Sequence, residues 1–417
     1  MKAIVMGGGV IGVTTAYYLA KSGHEVTVIE RNAGPAEEAS YGNAGIVAPG
    51  HAYSWASPRA PLILLQSLWR DDTALRFRFR LEPRLWLWSL RFLANCTAAR
   101  NRANTLTKLR ICIYSRDALR ELREETGIAY DETTRGTLYL YRDTAHLETA
   151  IANMRLLQDN GLVGLEGIDA RRSAEIEPAL APVKDKFAGA IHCSFDESGD
   201  SHRLCRELVR LMDGMGVTFR WNTTVRGLRA EGDRIAAVVT DKGEITGDAY
   251  VMSLASETPR VLKGLGYRMP IYPIKGYSLT VSSAGYEGAP SAPVIDEHYL
   301  MAFTPIGDRF RATATAEFAG YDTSFTPEDF APMLKVVRDV FPEGGDYDNP
   351  SYFACLRPMT PDGPPVIGRS RHRNLWFNTG HGHIGWTMAC GSSRAAADLV
   401  SGRAPDIDLS GMEPGRF

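Results

Sequence analysis

Residues 3–12 are Ala3-Ile4-Val5-Met6-Gly7-Gly8-Gly9-Val10-Ile11-Gly12, a short apolar strand that runs directly into a G-x-G-x-x-G turn. A helical pattern follows to about Lys21, and residues 25–30 then indicate a second strand that ends on Glu30. This order is typical of a dinucleotide site, where the glycines permit a tight turn and bring a pyrophosphate close to the helix N-terminus. Glu30 is placed to accept hydrogen bonds from a ribose diol. The alternative, a simple glycine turn, leaves the flanking strands and the acid unexplained.

A second strand, glycine-rich turn and helix lie near the C-terminus. Residues 374–379 indicate a strand, residues 386–401 indicate a helix, and Gly380-His381-Gly382-His383-Ile384-Gly385 joins them. A nicotinamide enzyme has no evident use for this second unit. A flavin does, because a helix N-terminus stabilises the negative charge of its reduced ring. The two motifs together predict bound FAD, with an ordinary strand-to-helix connection as the alternative.

Length and composition narrow the class of protein. The 417 residues are enough for two or three domains, and 44% apolar with 23% charged residues are typical of a soluble globular chain. A net charge of −2 gives no indication of nucleic-acid binding. The six cysteines show no metal-ligand spacing, so we expect them reduced and buried in a cytosolic protein without a metal. We find neither a secretory signal nor the ~20-residue apolar run that a membrane span needs.

The rest of the chain alternates helical and strand patterns. Residues 62–130 indicate helices that break at Pro83 and end at Gly127, whereas residues 271–318 alternate like an antiparallel sheet. Further helices are expected at 144–160, 169–177 and 202–215, and further strands at 136–141, 217–221, 236–240 and 249–252. The predicted fold is α+β, a Rossmann-like FAD-binding domain interleaved with an antiparallel-sheet substrate domain. The FAD-binding segments are expected at 1–62, 187–260 and 355–417, and the substrate-binding segments at 63–186 and 261–354.

Four segments resemble a known family. They are Ser40–Gly45, Tyr272–Ser278, Leu356–Gly363 and Asn378–Ser392, and they resemble bacterial FAD-dependent D-amino-acid dehydrogenases of the small-subunit type, within the wider glycine oxidase and D-amino-acid oxidase family. The resemblance covers nearly the whole chain, to about residue 403. It implies non-covalent FAD and oxidation of a D-amino acid by hydride transfer from Cα to flavin N5. The imine would hydrolyse to a 2-oxo acid and ammonia, and the electrons would pass to a quinone or another carrier.

The family's cofactor site is carried over residue by residue. The residues concerned lie in the two glycine motifs, in the loop that follows the second strand and at one later strand. They are Gly7, Gly9, Val10, Ile11, Gly12, Glu30, Arg31, Ser40, Asn43, Ala44, Gly45, Val225, Gly380, His381, Gly382, Gly385, Trp386 and Thr387. Within this set, Arg31 would flank the adenosine half of FAD, and the backbone of Val225 would contact adenine.

The resemblance assigns the substrate carboxylate to Arg357. The residue type suits this role, because a planar guanidinium bonds a carboxylate through two parallel hydrogen bonds. The alternative is a surface ion pair just before a Pro-Asp-Gly turn.

Five weaker candidates belong to the same pocket. His51 and Tyr53 follow the flavin loop and would overhang the ring, or else serve only in packing. Tyr277 and Tyr299 lie on expected strands, where one could close the pocket or both could be ordinary sheet aromatics. His383 replaces a smaller polar residue usual in the family. This leaves open a cyclic or secondary amine, such as D-proline, D-hydroxyproline or a substrate of the glycine and sarcosine type.

Two further positions bear on the cofactor. Ala255 stands where the family usually has a glycine close to FAD, so its methyl group would require a small shift of the loop. Lys275 follows Pro273 in a family-like turn and would lie near the flavin.

Residues 62–110 combine positive charge with aromatic residues. Ten Lys/Arg face three acids, with six aromatic residues between them. The basic residues are Arg70, Arg76, Arg78, Arg80, Arg84, Arg91, Arg100, Arg102, Lys108 and Arg110. The acidic residues are Asp71, Asp72 and Glu82, and the aromatic residues are Trp69, Phe77, Phe79, Trp86, Trp88 and Phe92. Such a surface can lie on an anionic membrane face, so a cytoplasmic protein with peripheral contact to the inner face of the membrane is one interpretation. The other is a solvated arginine face over a buried aromatic one.

Three functions remain open on the sequence alone. The first is an FAD-dependent amino-acid dehydrogenase, and the second is an oxidase that passes the electrons from the same substrates to oxygen. The third is an FAD-binding subunit of a larger amine-oxidising complex that has no activity by itself.

Overall fold

The structure is a computed structural model that describes residues 1–66, 75–77 and 80–417. The helices are α1 (Val10–Lys21), α2 (Ala60–Gln66), α3 (Pro83–Asn95), α4 (Ala98–Thr126), α5 (Thr144–Gln158), α6 (Ala170–Ile176), α7 (Ser201–Met212), α8 (Thr258–Leu262), α9 (Ala331–Val340) and α10 (Gly385–Val400). The first strands are β1 (Lys2–Met6), β2 (Glu25–Ile29), β3 (Ile46–Val47), β4 (Leu75–Phe77), β5 (Thr137–Tyr141), β6 (Leu165–Asp169), β7 (Gly189–Cys193), β8 (Glu197–Ser198), β9 (Val217–Arg220) and β10 (Val225–Glu231). The later strands are β11 (Arg234–Thr240), β12 (Gly243–Ile245), β13 (Ala249–Met252), β14 (Tyr272–Ser282), β15 (Val294–Asp296), β16 (Met301–Ile306), β17 (Arg309–Phe318), β18 (Ser351–Met359), β19 (Val366–Arg369) and β20 (Leu375–Thr379).

A six-stranded sheet carries the N-terminal motif near its centre, in the order β19-β20-β13-β1-β2-β9. All neighbours are parallel except β19 and β20. The apolar run of β1 is buried, as expected for a parallel strand covered on both faces. On one face, α1, α4, α7 and α10 share a hydrophobic core with the sheet. The sheet therefore brings the two glycine motifs, which are more than 360 residues apart in the chain, to the ends of β1 and β20, which are separated only by β13.

Helix ends follow the capping residues in the sequence. The Thr97 side chain accepts a hydrogen bond from the backbone of Arg100 at the start of α4, and Gly127 ends α4 with a φ of +65°. Asp143 caps α5, and Asp200 caps α7 through two backbone N–H groups. The predicted break at Pro83 is the first turn of α3, where proline is tolerated. The predictions of helices in these segments are therefore confirmed.

The largest sheet has nine strands in the described part of the chain. Its order is β18-β14-β17-β16-β15-β5-β7-β6, and β4 pairs with β17. Most pairs are antiparallel, as predicted for residues 271–318, but β15 with β5 and β17 with β4 are parallel. Strand β4 was expected to be helical. That prediction is wrong, because pairing with β17 overrides the local pattern. The fold prediction, a Rossmann-like unit combined with a largely antiparallel sheet, is confirmed.

The division into two domains stays a prediction. Two strands that it assigns to FAD-binding segments belong instead to the nine-stranded sheet: β7, and the last residues of β18.

All six cysteines are free, but only four are buried, because Cys96 and Cys355 are half-buried. The expectation that all would be buried is wrong at these two positions.

Helix α3 agrees only in part with the interpretation of residues 62–110 as a solvated arginine face over a buried aromatic face. Its buried residues are Leu85, Trp88 and Phe92, whereas Trp86 is exposed. Within the charged and aromatic segment 62–110, the residues that lie outside the described part of the chain include Trp69, Arg70, Asp71, Asp72, Arg78 and Phe79. Within the described ranges, none of the helices has the length and apolar character to cross a membrane.

Candidate active site

The N-terminal glycine turn has the geometry that the motif predicts. Gly7 has a φ of +106°, which side-chain-bearing residues rarely adopt. A Cβ on Gly12 would lie 1.8 Å from the Gly7 carbonyl oxygen, so glycine there permits the close approach of helix and strand. A Cβ on Gly9 would meet only the Ser40 Oγ, at 3.4 Å. The space in front of Gly9 is therefore open, and α1 begins there without a capping side chain of its own.

Glu30 lies directly behind this turn. Its carboxylate accepts hydrogen bonds from the backbone N–H of Gly8 at 2.7 Å and of Asn32 at 2.8 Å. Burial raises the pKa of Glu30, and these two hydrogen bonds oppose the shift. Arg31 points away to Glu38 and Glu257, in ion pairs of 2.5 and 3.7 Å.

The strand that contains Val225 reaches the same region. The backbone N–H of Thr223 donates to the Glu30 carbonyl at 2.8 Å, and Val225 begins β10 two residues later. Val225 therefore lies beside the expected adenosine end, as its predicted role requires. The role itself stays a prediction.

The loop after β2 forms one wall of a cavity of about 590 Å³. Ser40 Oγ accepts a hydrogen bond from the Val10 N–H at 3.0 Å, which fixes the loop to the start of α1. Asn43 bonds Ser201 Oγ through its amide nitrogen, and its amide oxygen accepts from the Gly45 N–H. The carbonyl of Ala44 accepts from Thr304 on β16. The loop is thus anchored to α1, to α7 and to the nine-stranded sheet.

The C-terminal glycine motif forms the facing wall. Gly380 and Gly382 have φ values of +74° and +62°, and the turn leads into α10, which lacks a capping side chain. His381 Nε2 lies 2.9 Å from Ser392 Oγ, and burial lowers the pKa of His381 to about 3, so the ring is neutral. Thr387 Oγ1 accepts from the Ala48 N–H at 3.1 Å, which joins this motif to the first loop.

The cavity between these walls fits a flavin dinucleotide. The first turns of α1 and α10 line this region, and neither N-cap residue provides a side-chain cap, although Ser40 accepts from the Val10 N–H. Such N-termini would stabilise the negative charge of a phosphate or of a reduced flavin ring. Four polar atoms that belong to cavity-lining residues are buried without a hydrogen-bond partner among the described residues: Ser253 Oγ, Asn378 Oδ1, His383 Nε2 and Trp386 Nε1. Buried polar atoms in native proteins normally have partners, so these atoms favour a bound polar group.

Arg357 extends into the same cavity from β18. Its Nη1 donates to the carbonyl of Thr315 at 2.7 Å, and Nη2 lies 3.4 Å from the carbonyl of Ala314. No carboxylate of the described residues is in ion-pair distance of this guanidinium, so the alternative of a surface ion pair does not hold. Burial lowers the pKa of Arg357 from its usual high value, but an arginine remains charged. A desolvated cation without a counterion is a suitable site for a ligand carboxylate.

His51, Tyr53 and His383 also line the cavity. His383 stacks on Trp55 with ring centroids 4.6 Å apart, and His51 lies edge-on to it at 6.0 Å. Burial, with a contribution from nearby Lys108, lowers the pKa of His51 to about 4 and that of His383 well below its usual range. Both rings are therefore neutral near pH 7.

The two candidate tyrosines of the sheet differ. Tyr277 on β14 lines the cavity, but its hydroxyl donates to Glu317 inside the sheet. Tyr299 lies in the turn after β15 and packs under Arg142, whose guanidinium is 4.8 Å from the ring centroid. Tyr299 is not on a strand and does not line the cavity, so its predicted position is wrong. Lys275 is buried in the sheet, where it bonds the carbonyl of Ser324, and does not line the cavity either.

The structure also adds residues that the sequence analysis missed. Trp55 continues the series of His51 and Tyr53 at two-residue spacing, and this spacing could have identified it. Glu297 follows the buried strand β15 and lines the cavity. Lys108 lies in the arginine-rich segment, yet it is buried and donates to the Tyr53 carbonyl at 2.8 Å.

Fold and site together define a flavin oxidoreductase, and the comparisons with known proteins agree. The profile of the family described as "DAO: FAD dependent oxidoreductase" matches residues 2–399, so the chain belongs to this family and FAD is its cofactor. D-amino acid dehydrogenase of Paramagnetospirillum magneticum is 46% identical over 100% of this chain and 99% of its own length. D-amino acid dehydrogenase of Methylobacterium radiotolerans is 47% identical, and the alignment covers 100% of this chain and 100% of that protein.

Solved structures support the fold. L-proline dehydrogenase from P. horikoshii aligns with a TM-score of 0.75 at 20% identity, over 100% of this chain and 97% of that one. Glycine oxidase from Geobacillus kaustophilus aligns with a TM-score of 0.75 at 21% identity, over 100% and 98%. At this level of identity the likeness concerns the fold alone.

Proposed function

We propose that the protein is a dehydrogenase of D-amino acids that converts them to 2-oxo acids and ammonia. The observation that carries the proposal is Arg357, a guanidinium that extends into the cavity without a carboxylate partner. The full-length relatives named D-amino acid dehydrogenase support the choice of substrate. Non-covalently bound FAD would supply the redox chemistry, as the acceptor of the hydride that leaves the substrate Cα.

The chain itself orients the substrate carboxylate and provides a neutral, buried environment for the substrate amine. Arg357 is held by two backbone carbonyls, so its remaining donors can bond a carboxylate in one fixed direction. His383 Nε2 is buried without a partner in the described residues and belongs to a neutral ring. It is available to accept a hydrogen bond from the substrate amine, and the burial and positive neighbours that keep this ring neutral also favour the neutral amine that oxidation requires. Trp55 fixes the plane of this ring by stacking.

The test is anaerobic reduction of the purified yellow holoenzyme by both enantiomers of each amino acid. We expect flavin bleaching by D-amino acids and none by L-amino acids. Bleaching by D-proline, D-hydroxyproline, glycine or sarcosine alone would support the alternative of a cyclic or secondary amine, which the bulky His383 in the cavity keeps open. A protein that no amine bleaches would contradict the proposal and favour the role of an FAD subunit in a larger complex.

We further propose that the electrons pass to a quinone or another carrier, at the cytoplasmic face of a membrane. The relatives are named dehydrogenases, which supports an acceptor other than oxygen. Turnover with a D-amino acid should be fast with a quinone analogue and slow with NAD. Rapid formation of peroxide would favour the oxidase alternative instead.

Helices α2 and α3 support the membrane contact. Both contribute to one hydrophobic cluster, and their outer faces expose large apolar side chains, namely Leu62, Ile63, Leu65, Leu87, Leu90 and Leu93. Arg84 lies exposed in the first turn of α3, so the apolar face has a positive neighbour that suits an anionic lipid surface.

A further inference from the structure

The described lining of the cavity contains one basic side chain and one acidic side chain. Among the described residues that line it, Arg357 is the only lysine or arginine, and Glu297 is the only carboxylic acid. The oxidation of a simple D-amino acid gives Arg357 a function but leaves Glu297 without one. An acid that is kept in a largely apolar cavity requires an explanation, because burial of an unpaired carboxylate is unfavourable.

Glu297 takes no part in the ion pair that its neighbour makes. Asp296, at the end of β15, accepts hydrogen bonds from Arg142 at 2.7 and 2.9 Å and from the backbone of His298. Glu297 has no lysine or arginine in ion-pair distance among the described residues. Its nearest basic group is His51, with Nδ1 3.7 Å from Oε1, and that ring is neutral. The structural ion pair therefore belongs to Asp296, and Glu297 remains available to a ligand.

The surroundings of Glu297 have room for a long side chain. Tyr53 and Tyr141 line the cavity together with Glu297, and burial, followed by the charge of Glu297, raises the pKa of both hydroxyls. Glu297 and Tyr141 line the main cavity and also a second groove of about 310 Å³. The other charged or titratable side chains of that groove are Arg59, Arg142, Asp143, His146 and His298. Arg142 is paired with Asp296 and Asp339, and Arg59 is exposed.

We propose that Glu297 binds the cationic end of a basic D-amino acid, an ammonium or guanidinium group, while Arg357 binds its α-carboxylate. This inference rests on the proposed function and names the substrate class of the same site. The aliphatic stem of the substrate lies along the apolar and aromatic lining between the two charges. Each charge of the substrate then meets its opposite in the cavity, and the desolvated Glu297 gains the partner that the chain does not provide.

The experiment compares pairs of substrates that differ mainly in charge. The holoenzyme is reduced anaerobically by D-arginine and by D-citrulline, and by D-lysine and by D-norleucine, with D-alanine as a reference that has no side-chain head group. We expect kcat/KM to favour the charged member of each pair by about 10- to 100-fold, the scale of one hydrogen-bonded charge. In Glu297→Gln this preference should largely disappear, while D-alanine and D-citrulline stay within about three-fold of wild type.

Asp143→Asn provides the matched control. It removes a carboxylate from the outer groove, and asparagine preserves the helix cap at the start of α5. The control should keep the preference for basic substrates. An unchanged preference in Glu297→Gln, or an equal loss in both variants, would overturn the inference and leave the proposed function intact. If D-alanine reduces the wild type but basic D-amino acids have no advantage, the inference is likewise wrong. If no D-amino acid reduces the flavin, both proposals are wrong.

Discussion

Ala255 has a backbone conformation that suits glycine better than alanine. Its φ is +47°, at the start of a short 3-10 turn whose first residue lines the cavity. The left-handed region costs an L-residue about 1–2 kcal/mol, and glycine adopts it freely. This explains why alanine is an unfavourable replacement for the glycine that the family usually has at this position.

Ala255→Gly should therefore stabilise the protein. We expect the free energy of unfolding to rise by up to about 1 kcal/mol, because the relief of strain exceeds the extra entropy of glycine in the unfolded chain. The measurement is denaturant unfolding of the holoenzyme. Ala236→Gly, on β11 with no positive φ, is the control and should destabilise by about 0.5–1 kcal/mol. A loss of stability in Ala255→Gly of the same size as in the control would contradict the account of strain.

Glu297 should make the stability of the protein depend on pH. Burial, and then the charge of Asp296, raise the pKa of Glu297 from 4.5 to about 7. The folded state therefore holds this proton more tightly than the unfolded state, and stability falls as the pH rises from about 4.5 through about 7. Glu297→Gln removes the effect. The variant should match wild type near pH 5 and be more stable near pH 8, by on the order of 2 kcal/mol.

Unfolding curves of both proteins at the two pH values test this expectation. If the difference in stability between Glu297→Gln and wild type were the same at both pH values, Glu297 would titrate normally in the folded protein. The titratable groups around Glu297 include His51, Tyr53, Tyr141, Asp296 and His298, and His51 and the tyrosines keep one protonation state across this range.

At the scale of elements, a β-bulge in the nine-stranded sheet positions Arg357. The register between β14 and β17 shifts so that one residue of β14, Gly276, faces two residues of β17, Thr315 and Ala316. Thr315 has a φ of +59°, which is unusual for a β-branched residue. The bulge frees backbone carbonyls from the ladder, and Arg357 crosses β14 at Gly276 to reach them. Backbone strain of this kind concentrates at functional sites.

Gly276→Ala tests this arrangement without a change of charge. A Cβ at Gly276 would lie 2.6 Å from Arg357 Cζ and Nη2, so the guanidinium must leave its two carbonyls. We expect kcat/KM for the best D-amino acid to fall by about 10- to 100-fold while the FAD content stays unchanged. Gly227→Ala is the control, because a Cβ there meets nothing within 4 Å. Normal kinetics in Gly276→Ala would mean that the position of Arg357 is not critical.

The elements also show how far the sequence predicts this protein. The Rossmann-like unit was predictable because the strand, glycine turn, helix and acid are local and their spacing is fixed by the dinucleotide. The position of Glu297 depends on the parallel pairing of β15 with β5, over 150 residues away, which no local pattern reveals. Tyr299 was misplaced for a related reason: β15 ends at Asp296, and the turn carries the ring out of the sheet. Arg357 was indicated by a motif, but the bulge that positions it was not.

At the scale of the whole molecule, the exposed apolar face of α2 and α3 should bind membranes. Leu90 is 66% exposed and Leu87 is 54% exposed. The double variant Leu87→Glu/Leu90→Glu should reduce co-sedimentation with anionic vesicles by about ten-fold or more, because it replaces apolar contact with charge repulsion. Val163→Glu, at a position 59% exposed and elsewhere on the surface, should leave vesicle binding unchanged. Equal binding of wild type and the double variant would contradict the membrane contact.

The central claim is that Arg357 binds the carboxylate of a D-amino acid beside FAD. The most direct measurement is the anaerobic rate of flavin reduction in Arg357→Met, with the best D-amino acid and with the matching amine that lacks a carboxylate. We expect an intact yellow complex and a loss of hundreds- to thousands-fold with the amino acid, since removal of one partner from a desolvated pair costs about 3–5 kcal/mol. The amine should no longer be the poorer substrate, and Arg357→Lys should recover only part of the rate. Reduction of Arg357→Met by the D-amino acid within a few-fold of wild type would contradict the account and place the carboxylate site elsewhere.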